Sequence, residues 1–149
     1  MKIILFLLVT IFATAQTKKI DFFGNNFTVN NSCEYTAGEI NSLKYQKNAL
    51  MWADAPPKFI LDMLVNKFQD EIKAKKVTEL KSQDLKIKLL KTAWTGKLSQ
   101  YKKENNDTIT NFVQLYGNLK STDKMVIIVY KTMKQEAFRI PSYFDFLAK

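Results

Sequence analysis

The side chains of this chain that could take part in chemistry are mostly lysines, and they are concentrated in one segment. Ten lysines and two acidic residues lie between Lys73 and Lys103, which gives this segment a charge of +8. The whole chain carries a formal net charge of +9. Such a block of positive charge attracts phosphate groups, lipid headgroups or acidic polysaccharides through long-range Coulomb interactions. A solvated face that only keeps the domain in solution is the alternative.

Five lysines of this segment are the candidates for a patch that binds anions. Lys86 and Lys88 alternate with apolar residues, which predicts that both lie on the solvent face of one strand. The other candidates are expected on the next strand or in the turn after it. The full set is Lys86, Lys88, Lys97, Lys102 and Lys103.

The sequence offers little to a catalytic site. It contains no histidine, which excludes Ser-His-Asp and Cys-His catalytic units and zinc sites with histidine ligands. A pair of carboxylates can cleave glycosides without histidine, but the acidic residues here are scattered. Glycine-rich phosphate loops and calcium-binding spacings are missing. We therefore expect no catalytic residues, no metal site and no cofactor.

Cys33 is the only cysteine of the chain, so no disulfide can form within it. A single small thiol is typically buried among apolar side chains, and we expect this for Cys33. The alternatives are that it pairs with a cysteine of another molecule or is a reactive thiol.

Residues 1–15 have the order of a secretory signal peptide. One lysine is followed by ten mostly apolar residues and then by small residues at 13–15, which predicts cleavage between Ala15 and Gln16. Ten apolar residues form a helix of about 15 Å, half the thickness of a bilayer core. Because Gln16 stands where a lipoprotein has its acylated cysteine, we do not expect a lipoprotein. We expect a periplasmic or secreted protein with one domain over 16–149 and no transmembrane segment after processing. This leader resembles those of exported Bacteroidetes proteins.

Turn residues and the spacing of apolar residues predict the elements that position these residues. Extended segments around Gly24-Asn25-Asn26 predict a β-hairpin, and a second extended region follows a loop over 31–41. A helix is predicted over about 57–75, entered at Pro57. Its apolar residues recur at spacings of three and four and predict one buried stripe. The stripe consists of Ile60, Met63, Leu64, Phe68 and Ile72.

The second half of the chain predicts four strands joined by short turns, ending at Thr132. Short connections require antiparallel neighbours, because parallel strands need long crossovers. A short helix is expected over about 141–148. The predicted fold class is therefore α+β, with an antiparallel sheet of about six strands, one long helix and a short C-terminal helix.

This order of elements resembles the PsbP-like family, in which an N-terminal hairpin and further strands form a central sheet with helices on both sides. A cystatin-like arrangement, in which four meandering strands wrap one long helix, fits residues 57–132 and is the alternative. Both resemblances come from element order alone and imply no functional residue.

These observations favour an exported accessory protein of the bacterial envelope without enzymatic activity. Its expected partner is an envelope protein, an anionic lipid or a polysaccharide. Nucleic acid is not expected, because the protein is expected to be exported and because Arg139 is the only arginine, whose planar two-pronged contacts are favoured in nucleic-acid recognition. One alternative is a carrier that holds a small apolar ligand in a cavity between sheet and helix. An enzyme that works without histidine is another.

Overall fold

A computed structural model describes residues 17–54, 58–75, 77–104 and 106–148. The predicted signal peptide and its junction at Ala15 and Gln16 lie outside these residues, as does Pro57. Among the described residues, no helix has the length and apolar character needed to cross a membrane.

The described residues form nine strands, one α-helix and one 3₁₀ helix. The strands are β1 (Thr17–Phe22), β2 (Asn25–Asn30), β3 (Glu34–Thr36), β4 (Asn41–Tyr45), β5 (Asn48–Asp54), β6 (Val77–Leu89), β7 (Thr92–Lys103), β8 (Ile109–Leu119) and β9 (Thr122–Thr132). The helix α1 (Lys58–Lys73) follows β5, and the 3₁₀ helix (Ser142–Ala148) ends the chain. The predicted α+β class is therefore wrong, because the protein is mostly β.

Seven strands form one antiparallel sheet in the order β3-β4-β5-β9-β8-β7-β6. The predicted meander is present as β6 to β9, whose neighbours pair in succession. The predicted N-terminal hairpin is also present, but β1 pairs only with β2 and the two form a separate sheet. In contrast to the PsbP-like arrangement, the hairpin therefore covers the central sheet and does not extend it.

Both faces of the sheet are covered at its centre, as the alternation along β9 shows. Val126 and Ile128 belong to the hydrophobic cluster that includes the hairpin and the 3₁₀ helix. Met125 and Ile127 belong to the second cluster, which includes residues of α1. All four are at most 2% exposed. We call the two sides of the sheet the hairpin face and the helix face.

Aromatic side chains fill the hairpin face. The ring of Phe22 lies 5.1 Å from that of Trp52 and 5.9 Å from that of Phe146, between ring centroids. The backbone N–H of Leu90, in the β6–β7 turn, donates to the carbonyl oxygen of Leu147 at 3.0 Å. These contacts hold the hairpin, the sheet and the 3₁₀ helix together in one core.

Two buried amides on the hairpin face tie down the chain that follows β9. Gln100 Nε2 donates to Asn111 Oδ1 at 2.7 Å and to the carbonyl oxygen of Glu136 at 3.0 Å. Asn111 Nδ2 donates to Thr132 Oγ1 at 3.0 Å. Because both amides are at most 1% exposed, these hydrogen bonds offset part of the desolvation cost of the two side chains, while the buried Gln100 Oε1 has no hydrogen-bond partner among the described residues.

The structure corrects several predicted boundaries. The loop expected over 31–41 contains β3, and the extended region expected around Leu43 to Trp52 is two strands. Strand β6 begins at Val77, well before the alternation that predicted it. The C-terminal helix is a 3₁₀ helix. Strong alternation marks only the part of a strand with one buried face, so strand segments exposed on both faces leave little sequence signal.

The helix lies within two residues of its predicted bounds, but its buried face differs from the predicted stripe. Met63 is 61% exposed, whereas Val65 is 6% exposed. Ile72 is half-buried against the helix-face cluster. Val65 and Ile72 are seven residues apart and share a face, while Met63 lies about 200° around the helix from Val65. The side chains of the other three stripe residues are outside the described set.

Candidate functional site

Three of the five predicted lysines lie together on the helix face. Lys86 pairs in register with Thr95, which continues across the sheet to Tyr116 and Met125. Directly paired residues of antiparallel strands point to the same face. Lys86 therefore shares the face of Met125, and the same alternation places two neighbours with it. The exposed members of this group are Lys86, Lys88 and Lys97.

The other two predicted lysines are separated from that group. Lys103 is six residues beyond Lys97 along β7, or about 20 Å at the rise of a strand. Lys102 points to the opposite face, and its Nζ lies 3.3 Å from Asp107 Oδ1 in an exposed ion pair. The five lysines predicted as one patch therefore occupy three places on the surface.

A different group of lysines converges on a cleft of about 460 Å³ between the end of α1 and the helix face. Among the described residues, four lysines line this cleft, and they come from four parts of the chain. Lys47 lies in the β4–β5 turn, Lys75 follows α1, Lys103 ends β7, and Lys131 is near the end of β9. We call this site the lysine cleft.

Strand pairing brings these lysines together. Lys131 is in register with Thr110, which pairs with Tyr101 on β7, so all three point to the helix face. Lys103 is two residues beyond Tyr101 and points the same way. The backbone N–H of Lys131 donates to Asn48 Oδ1 at 3.2 Å, which fastens the turn that carries Lys47.

The lysine cleft is positive, and no acidic side chain in the described ranges lines it. Burial lowers the pKa of the Lys131 ammonium group, and the charges of Lys47, Lys75 and Lys103 lower this pKa further. The positive form of Lys131 is therefore less favoured than that of an isolated lysine. An anion beside these ammonium groups would offset this effect, because an opposite charge favours the charged form of a lysine.

Neutral polar groups also line the cleft. Thr108 and Thr110 contribute half-buried hydroxyl groups, and Asn106 lies beside them. The backbone N–H of Thr108 donates to Asn106 Oδ1 at 2.9 Å, which fixes the orientation of that amide. A hydroxyl can donate to an anion without changing its own charge. The arrangement can thus surround an anionic group with both ammonium and hydroxyl donors.

Of the four lysines of the cleft, only Lys103 was among the predicted candidates, and Lys75 lay within the lysine-rich segment. Sequence reasoning missed Lys47 and Lys131, because both lie outside the lysine-rich segment and reach the cleft through the pairing of β5 with β9. The available signal was weak. Lys131 comes directly after the apolar run of β9, at a position that shares the face of Ile127 and Val129. Alternation alone could have indicated this.

Cys33 lies elsewhere, beneath the hairpin. It is 3% exposed, as expected, and burial raises the pKa of its thiol. Within the described part of the chain, no three Asp, Glu, Cys or His side chains are grouped so that they could hold a metal ion. No protein-family model, curated protein or solved structure matches this chain.

Proposed function

We propose that this protein is an exported accessory protein that binds an anionic partner, without catalysing a reaction, and that the lysine cleft is the binding site. One observation carries the proposal: four lysines from four separate parts of the chain line one cleft, with no acidic residue among its described lining. Lysines that only keep a domain in solution are expected to be dispersed, because like charges repel.

The lysines near the β6–β7 turn support binding less well, because they are not among the residues that line the lysine cleft, whose four lysines are exposed as well but converge on one site. Lys86 and Lys88 lie on an open strand surface, and Lys97 is in register with Asp84. Charges on such a surface are screened over about 10 Å at 0.1 M salt, and exposed ion pairs contribute about 0.2–1 kcal/mol. We expect this group to attract anions over a distance without holding one.

The test compares two double variants with the same change in charge. Lys103→Gln with Lys131→Gln removes two lysines of the cleft, while Lys86→Gln with Lys88→Gln removes two exposed lysines of the same face. Isothermal titration calorimetry with inorganic phosphate at low salt measures the affinity of each. Because each lost contact is worth about 1 kcal/mol, we expect the cleft variant to bind about thirtyfold more weakly. The control variant should change by less than about twofold, and equal losses would contradict the proposal.

A further inference from the structure

The floor of the lysine cleft is apolar, although its rim is charged. Ile72 of α1, Val77 of β6 and Val129 of β9 line it. Each is half-buried at the border of the helix-face cluster, so that cluster leaves part of its apolar surface open to the cleft. An inorganic anion needs hydrogen-bond donors only. Apolar lining improves binding when the ligand has an apolar part that it can cover.

The size of the cleft also exceeds what a small inorganic anion needs. A volume of about 460 Å³ corresponds to roughly fifteen water molecules at about 30 Å³ each. It falls in the range of about 300–1,000 Å³ that is usual for sites of small organic ligands.

We propose that the ligand of the lysine cleft is a phosphate monoester with a short apolar group. The inference rests on the proposed anion-binding function and narrows it to one ligand class. The phosphate contacts lysine ammonium groups at the rim, and the hydrocarbon part covers Ile72, Val77 and Val129. A phosphate monoester carries a charge of about −1.5 to −2 at pH 7, which suits several converging ammonium groups better than the single charge of a carboxylate.

Calorimetry with methyl phosphate and butyl phosphate separates the two parts of the ligand. The two esters have the same anionic group, and butyl phosphate has three more CH₂ groups. Each fully buried CH₂ group raises affinity about fourfold. Because the floor is half-buried and open on one side, we expect a preference for butyl phosphate of about tenfold, below the limit of about fiftyfold for complete burial.

A variant tests whether the floor causes this preference. Val129→Thr keeps the shape of the side chain and replaces a methyl group by a hydroxyl. It should reduce the preference for butyl phosphate over methyl phosphate to about threefold or less. Ile87→Thr, at a half-buried position on the hairpin face, is the control and should leave both affinities unchanged. An unchanged preference in Val129→Thr would overturn the assignment of the floor.

The outcomes distinguish this inference from the function on which it rests. Equal binding of the two esters would overturn the apolar part and leave anion binding intact. If the two esters, inorganic phosphate and phosphatidylglycerol vesicles all fail to bind, both proposals fail. Tighter binding of pentanoate than of butyl phosphate would overturn the choice of phosphate. Binding to phosphatidylglycerol vesicles without binding of butyl phosphate would overturn the choice of a free small molecule in favour of a membrane surface.

Discussion

Gly96, in the middle of β7, lies so close to the neighbouring strand that a side chain cannot be added without moving the backbone. A Cβ at this position would be 1.8 Å from the carbonyl oxygen of Gln114 and 2.9 Å from the Cα of Leu115. The Cβ and the oxygen would have to separate by 1.2 Å to reach even 3.0 Å, a distance below which real Cβ contacts essentially never occur. Because β8 is also paired with β9, it cannot shift without disturbing a second ladder.

Gly96→Ala should therefore destabilise the protein strongly. Overpacking costs about 1–3 kcal/mol, and the loss of about one ladder hydrogen bond adds about 1 kcal/mol. We expect a total of about 2–4 kcal/mol, which lowers Tm by roughly 10 °C in a domain of this size. Urea unfolding and thermal unfolding, both followed by circular dichroism, measure the change.

Gly38→Ala is the control for this prediction. A Cβ at Gly38 would be 3.7 Å from its nearest neighbour, the carbonyl oxygen of Ile40, which is an ordinary contact. This substitution should change the free energy of unfolding by no more than about 0.5 kcal/mol. If Gly96→Ala were as stable as Gly38→Ala, the close approach of β7 and β8 would be refuted.

Three further predictions concern buried groups and the cleft. Asn111→Leu breaks the buried amide network and should lower the free energy of unfolding by about 1–3 kcal/mol. Urea titrations measure the change. Asn118→Leu, at an exposed position on the same strand, is the control and should change the free energy of unfolding by less than about 1 kcal/mol. Burial raises the pKa of three tyrosines above the ordinary value of 10.0, so the folded state holds their phenol protons more tightly than the unfolded state does. The contribution of this difference to the free energy of unfolding is present below about pH 10 and is lost as the pH rises further. These residues are Tyr101, Tyr116 and Tyr130. Ultraviolet titration of the phenol groups should show a later ionisation in the folded than in the urea-unfolded protein, and coincident curves would contradict it. The lowered pKa of Lys131 raises its neutral fraction, so limited acetylation followed by peptide mass spectrometry should modify Lys131 faster than Lys86, which is exposed as Lys131 is. Phosphate should slow the modification of Lys131. Equal rates at the two lysines would contradict this.

The elements that the sequence predicted best are those with strong local signals. The hairpin at Gly24, the helix and the meander from β6 to β9 all come from turn residues and periodicity within short windows. The α+β class failed because β3, β4 and the first half of β6 carry weak alternation. The strand content was therefore underestimated.

The lysine cleft could not be predicted, because its residues meet only through long-range pairing. Lys47 and Lys131 are far apart in sequence, and the register of β5 with β9 brings them to one place. Counting charge along the chain instead selected Lys86, Lys88 and Lys97, which share a strand surface but are not among the residues that line the lysine cleft. Local charge density indicates where a chain is basic, whereas a binding site depends on which strands are neighbours.

The central claim is that anions bind in the lysine cleft and not across the basic surface in general. Nuclear magnetic resonance of the ¹⁵N-labelled protein, titrated with inorganic phosphate at constant ionic strength, tests it most directly. We predict saturable shifts of the backbone amides of Thr110, Val129 and Lys131, with those of Lys86 and Lys88 nearly unchanged. Shifts that are largest at Lys86 and Lys88, or that are reproduced by chloride at the same ionic strength, would contradict the claim.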